Sequence, residues 1–205
     1  MGPDQVKDAV AAGAVVLDLR PPRFFAVAHV PGAVTMEYSG PDLPYRAELI
    51  LPHGQAIVVH GEPDASAHEA VDLLCAAGFN AIGSLDGGLA AWQAAGEPVA
   101  SLQLLTVDEL HEHAGDYLVL DAREGFEYRH LHVEGSVFLP MAEAWERAAE
   151  IESDRPIAVI CDDQTRSAAV ASMLQRAGKD ARLVTGGVAD WHERGYPVVS
   201  DEPHD

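Results

Sequence analysis

The stretch Gly87–Val99, GGLAAWQAAGEPV, is written again at Gly186–Val198 as GGVADWHERGYPV. Two thirteen-residue spans that share Gly-Gly, a tryptophan, a later glycine and a closing Pro-Val mark an internal duplication, and they direct attention to the rest of each half. Outward from this pair the copies continue. LLCAAG (Leu73–Gly78) returns as MLQRAG (Met173–Gly178), and AIVVHG (Ala56–Gly61) as PIAVIC (Pro156–Cys161). HVPGA (His29–Ala33) returns as HVEGS (His132–Ser136), and DLR (Asp18–Arg20) as DAR (Asp121–Arg123). The interval between copies changes only from 103 residues, Asp18 to Asp121, to 99 residues, Gly87 to Gly186. The chain therefore reads as two domains, 1–100 and 101–205, with the joint near Pro98–Thr106.

Each half alternates short apolar runs with helical patterns. In the second half YLVLD (Tyr117–Asp121), SVFLP (Ser136–Pro140), PIAVIC (Pro156–Cys161) and DARLV (Asp180–Val184) read as buried strands. Between the last two, SAAVASMLQRAG places apolar residues at helical spacing and ends in glycine. A short helix is expected over Gly187–Arg194. Strands separated by helices imply an α/β fold, a small parallel sheet with helices on both faces in each domain. Sites in such sheets form where strands end and helices begin. Cys161 falls at such an end, and Gly61 holds its place in the first half.

The totals narrow the function. Thirty-three acids against 13 bases give a formal net charge of −20, and lysine occurs only at Lys7 and Lys179. Such a surface repels nucleic acid and anionic lipid, so neither is an expected partner. No apolar stretch is long enough to span a bilayer, and the N-terminus lacks a basic start followed by an apolar block, so the cytoplasm is the expected compartment. Two cysteines without a CxxC, and histidine pairs (His111/His113, His130/His132) at i, i+2 spacing, argue against a disulfide framework or a metal site. No cofactor is expected.

The second-half pieces TVDEL (Thr106–Leu110), LDAREGFEYRHLHVEGSVFLP (Leu120–Pro140), IAVICDDQTRS (Ile157–Ser167) and GGVADWHERGYPV stand in the order of a known family. The chain resembles tandem rhodanese-like (sulfurtransferase) proteins over nearly its whole length. The resemblance implies two tandem rhodanese-like domains and transfer of a sulfane sulfur through a cysteine persulfide. It also exposes departures. The family loop usually reads C-R-x-G-x-R-S. Here Asp162 stands at the basic second position, Gln164 at the glycine, and Leu131 where a glycine normally precedes the histidine. In the first half Gly61 replaces the cysteine, GEPDASA lacks the loop arginine, and Phe24 and Phe25 take the places of Glu127 and Tyr128. That half resembles the inactive domain of tandem members.

The resemblance makes Cys161 the candidate nucleophile, and sulfur transfer requires its thiolate. Asp162, Asp163, Gln164, Thr165, Arg166 and Ser167 form the candidate cradle, with backbone N–H groups of 163–167 and the helix N-terminus facing the anion. Four residues lie between Cys161 and Arg166. Related phosphatase and arsenate-reductase loops carry five, so the tighter turn favours sulfur over an oxyanion centre. Arg166 either meets an anionic donor or shapes the turn through Asp121 or a loop carbonyl. Ser167 either caps the helix, the favoured role, or donates to the sulfur. Two carboxylates next to the thiolate oppose its ionisation unless they point outward or are paired, and they make thiosulfate a poor donor. Asp121 and Arg123 border the pocket, with Asp121 tying strand to loop. His29 and His132 hold equivalent turns, His60 packs beside the lost cysteine position, Cys75 lies in a helical core face, and Trp92 and Trp191 anchor the terminal helices.

Two functions follow. The first is a sulfurtransferase that takes sulfur from a small donor and passes it to a thiol acceptor, a protein among the candidates. The second is a non-catalytic binding or scaffold module that shows an acidic surface to a basic partner.

Overall fold

The computed structural model describes residues 1–201. The chain divides into two compact units, Met1–Ser101 and Leu102–Asp205. In the first unit the strands are β1 (Val15–Asp18), β2 (Val34–Thr35), β3 (Ile57–His60) and β4 (Ala81–Ser84). Its helices are α1 (Pro3–Ala11), α2 (Pro22–Val27), α3 (Leu43–Glu48), α4 (Asp64–Ala76) and α5 (Gly88–Ala94). The four strands form one parallel sheet in the order β2-β1-β3-β4. Every residue of β1 and β3 is buried, as a strand covered on both faces requires.

The second unit repeats this plan and extends it. Its strands are β5 (Gln103–Thr106), β6 (Leu118–Asp121), β7 (His132–Val133), β8 (Val137–Phe138), β9 (Ile157–Ile160), β10 (Ala181–Thr185) and β11 (Val198–Val199). Its helices are α6 (Val107–Glu112), α7 (Gly125–His130), α8 (Met141–Arg147), α9 (Thr165–Arg176) and α10 (Val188–Glu193). Five strands make a parallel sheet in the order β5-β10-β9-β6-β8, flanked by helices. The short pair β11-β7 is antiparallel, and the first unit keeps its trace as the bridge His29–Ala100.

The four strands expected in the second half are all present, but the one at Ser136–Pro140, expected to be buried, is the two-residue edge strand β8 with Val137 exposed and Phe138 half-buried. The fifth, β5, falls within the stretch read as the joint. It is an edge strand with three of its four residues exposed, so it carries little of the apolar signal that betrays a buried strand. Helix α9 is the opposite case. It is buried without interruption from Ser167 to Leu174, and small residues dominate that run because it is enclosed on several sides.

Topology puts the loop at a switch point. From β6 the chain runs outward to β8, and from β9 it runs the other way to β10. Adjacent strands whose connections diverge leave a crevice at their C-terminal ends. Asp121 ends β6, Cys161 directly follows β9, and the two strand ends are tied by Ala122 N–H donating to Ile160 O at 2.9 Å.

Candidate functional site

Cys161 is fully buried. Its backbone is pinned from the far side of the crevice: Val188 N–H, at the head of α10, donates to Cys161 O at 3.0 Å. This approach explains the second glycine of the repeated Gly-Gly. A Cβ on Gly187 would sit 2.5 Å from Asp162 O and 2.9 Å from Cys161 O, so only glycine lets the two segments meet.

The sulfur has two close polar neighbours, both from Ser167. The Ser167 amide donates to Sγ at 3.3 Å, and the Ser167 hydroxyl lies 3.1 Å from Sγ. A hydroxyl at that distance receives the S–H of a thiol and donates to a thiolate, so it serves both protonation states. This corrects the capping role favoured for Ser167. The N-cap of α9 is Gln164, and Ser167 lies within the helix with its side chain turned to the sulfur. Of the amides expected to face the anion, that of Thr165 is instead taken by Asp163 Oδ1 at 3.0 Å. The same carboxylate oxygen stands 3.9 Å from Sγ.

The loop bends at Gln164, whose φ of 69° makes it the one non-glycine residue in the left-handed region among the described residues. That region is costly for a residue with a side chain, and glycine is its usual occupant. The departure from the family loop at this position is thus visible as backbone strain.

Arg166 does not contact Asp121, as one reading of the turn supposed. Its two terminal nitrogens hold Glu127, at 2.5 Å to Oε2 and 2.9 Å to Oε1, and one of them also reaches Asp162 Oδ2 at 3.2 Å. Glu127 is positioned by its own helix: its Oε2 also accepts the Glu124 N–H at 2.9 Å, the N-terminal turn of α7. Asp162 lies between two guanidiniums, with Arg123 Nη1 at 3.6 Å from its other oxygen. The guanidinium of Arg166 and the α7 backbone hold the Glu127 carboxyl at about 2. Asp162 is pushed the other way, upward, first by burial and then by the neighbouring Glu127, against the pull of Arg123 and Arg166. Arg166 is held more firmly protonated, chiefly by Glu127, with Cys161 adding to the effect. The repulsion expected from the two aspartates is therefore tempered by pairing: Asp162 meets both guanidiniums, and Asp163, although 3.9 Å from the sulfur, is occupied by a backbone amide.

Asp121 and Arg123 form a compact clamp. Arg123 Nε donates to Asp121 at 3.0 Å, its Nη2 at 2.7 Å, and the same Nη2 reaches Leu131 O at 2.6 Å, tying the end of β6 to the end of α7. The first unit holds the same clamp, Arg20 on Asp18 and on Ala28 O, both at 2.7 Å. The histidines also repeat. His132 stacks on Tyr128 at 3.8 Å and bonds Tyr128 O, while His29 stacks on Phe25 at 3.8 Å and bonds Phe25 O.

At the vacant loop of the first unit, His60 is fully buried with Nδ1 3.2 Å from Asp18 Oδ2, and its Nε2 accepts the Leu89 N–H at 3.2 Å. Burial raises the Asp18 carboxyl, but His60 and Arg20 outweigh it and hold it below its usual range. Trp92 and Trp191 are buried and donate to Pro98 O and Pro197 O at 2.7 and 2.9 Å. Cys75 departs from its core assignment. It is exposed, with Sγ 3.3 Å from Ala81 O, because α4 buries only Ala67, Ala70 and Leu74.

The site member absent from the candidate set is Glu127. The only signal was its counterpart Phe24, a charged residue in one copy facing an apolar one in the other.

Comparison with known proteins places the chain. The sequence model of the Rhodanese-like domain matches residues 2–95 and again 106–194. Thiosulfate sulfurtransferase GlpE of Ectopseudomonas mendocina is 33% identical over 95 residues, 46% of this chain and 84% of GlpE. HTH-type transcriptional regulator Rv0324 of Mycobacterium tuberculosis is 28% identical over 92 residues, 44% of this chain and 41% of Rv0324, so the match covers well under half of that protein. Among solved structures, a rhodanese-related protein of Thermoplasma volcanium is 37% identical, covering 49% of this chain and 99% of its own, with a TM-score of 0.46. Thiosulfate sulfurtransferase of Pseudomonas aeruginosa is 21% identical, covering 98% of this chain and 43% of its own, with a TM-score of 0.43. With its domain model matched twice along one chain, the protein belongs to the rhodanese-like domain family and carries that domain in tandem.

Proposed function

We propose that the second unit transfers a sulfane sulfur through a persulfide on Cys161, and that the first unit, with Gly61 in place of the cysteine, does not. The observation that carries this reading is the double contact of Ser167, amide and hydroxyl, on Cys161 Sγ at the head of α9. A thiolate there accepts both donors and the partial positive charge of the twelve-residue helix. Cys161 attacks the outer sulfur of a donor, the donor's S–S bond breaks with its electron pair on the leaving group, and a thiol acceptor later removes the sulfur by the same step in reverse. Asp121 and Arg123 frame the pocket, and the rest of the 162–166 loop encloses the carried sulfur.

Treatment with a donor is expected to add roughly 32 Da, one sulfur, to the intact chain. With Cys75, an exposed thiol, replaced by serine in both chains, Cys161→Ser is expected to gain nothing. A wild-type chain that stays unmodified with thiosulfate, mercaptopyruvate and polysulfide alike would falsify the assignment.

One observation favours the second reading, a binding module without turnover: Cys161 has 0% exposure. Iodoacetamide labelling of Cys161 against pH, in a Cys75→Ser chain, separates the two. A carrier thiol labels near neutrality, whereas an inert one labels only in strong alkali.

A further inference from the structure

Taking Cys161 as the sulfur carrier, we propose that Glu127 and Asp162 together determine which donor the site accepts. By occupying the donating edge of Arg166 they select a persulfide whose leaving thiol is neutral or carries an ammonium, and they reject the thiosulfate dianion.

Arg166 is the only basic residue in the loop Cys161–Ser167. Both of its terminal nitrogens are engaged, twice by Glu127 and once by Asp162. An oxyanion seeking a bidentate grip on Arg166 must first displace a carboxylate that already has one. Arg123 offers no substitute, since its nitrogens serve Asp121, Leu131 O and Asp162. In the loop and the pairs that hold it, two guanidiniums thus stand against four carboxylates: Asp121, Glu127, Asp162 and Asp163, the last 3.9 Å from the sulfur. A sulfite leaving group would develop its charge against that excess. A persulfide, R–S–SH, enters uncharged and leaves a single negative charge on R–S⁻, one fewer than sulfite carries, and an ammonium on R balances it. The Cys161 thiolate bonds to its outer sulfur, the S–S bond joining that sulfur to R–S breaks, the electron pair leaves on R–S⁻, and the proton stays on the new Cys161 persulfide. An ammonium on R is drawn to the exposed carboxylate of Asp162.

The test compares sulfur loading of the full chain from thiosulfate and from cysteine persulfide, in wild type, Glu127→Gln and Asp162→Asn, with circular dichroism to show folding. The wild type is expected to prefer the persulfide. Each variant should shrink that preference about tenfold, the order of one carboxylate acting on a nearby dianion, through a lower KM for thiosulfate. A preference unchanged in a folded variant of either kind overturns the selection by charge and leaves the carrier role standing. A wild type loaded by neither donor overturns the carrier role, and this proposal with it. A structural role alone would lower both donors' rates together without moving their ratio.

Discussion

The two units carry a strand-to-helix loop at the same strand end, and one has lost the sulfur and the hydroxyl beside it while keeping, in Ala67, the backbone amide. Cys161 faces Gly61 across the repeat, and Ser167 faces Ala67. A Cβ added to Gly61 would lie 3.3 Å from Ala67 N and 3.4 Å from Ala67 Cβ, so the loop of the first unit still wraps the vacant position. What persists in both units is the framework: the Asp-Arg clamp, the histidine stacked over its helix, and the tryptophan bonded to a proline carbonyl. The difference separates roles that a single copy would confound. Residues kept beside a missing cysteine belong to the framework, and residues that changed with it are the candidates for a role at the sulfur.

The strongest way to break the comparison is to move the cysteine. In a Cys161→Ser background, Gly61→Cys is expected to leave sulfur loading at least 100-fold below wild type, because Ala67 supplies no hydroxyl and no arginine stands in the first loop. Intact-mass analysis after donor treatment checks this, and loading near the wild-type rate would show that the backbone turn alone suffices.

Next in size is Gly187→Ala. A Cβ cannot share space with the Asp162 carbonyl, so we expect a loss of about 3 kcal/mol in urea unfolding together with loss of loading. The matching change in the first unit, Gly88→Ala, meets His60 Nε2 at 3.2 Å at a positive φ of 56° and should cost stability while leaving loading intact.

Ser167→Ala makes the second loop resemble the first by one atom. Loss of a hydroxyl that donates to the thiolate should slow iodoacetamide labelling near neutral pH about tenfold, the worth of one charge-assisted hydrogen bond. An unchanged rate would leave the Ser167 amide as sufficient.

The smallest effect is expected at Gln164→Gly, which relieves the left-handed residue. The strain is about 1–2 kcal/mol, and the extra freedom of glycine in the unfolded chain offsets part of it, so a gain of about 0.5–1 kcal/mol should appear as a Tm rise of a few degrees.

Legibility in the sequence followed burial and local repetition. Strands β6, β9 and β10 announced themselves because continuous apolar runs are what a sheet covered on both faces requires. The edge strand β5 did not, since most of its residues face solvent. The exposure of Cys75 was likewise hidden, because one helical stripe of small apolar residues looks the same whether the outer side is covered or bare.

The duplication, the parallel α/β plan, the cysteine at a strand end and the missing sulfur in the first copy were all determined by the sequence itself. Each is a matter of order along the chain or of local periodicity. Which groups meet Cys161 was decided only in three dimensions. Glu127 lies 39 residues from Arg166, and its grip on that arginine depends on β6 and β9 lying side by side with α7 at their ends. Gly187 lies closer to Asp162 in space than any reading of spacing can show. Charge pairing acts over a few ångströms through space, and a linear sequence carries no record of distances between residues that folding brings together.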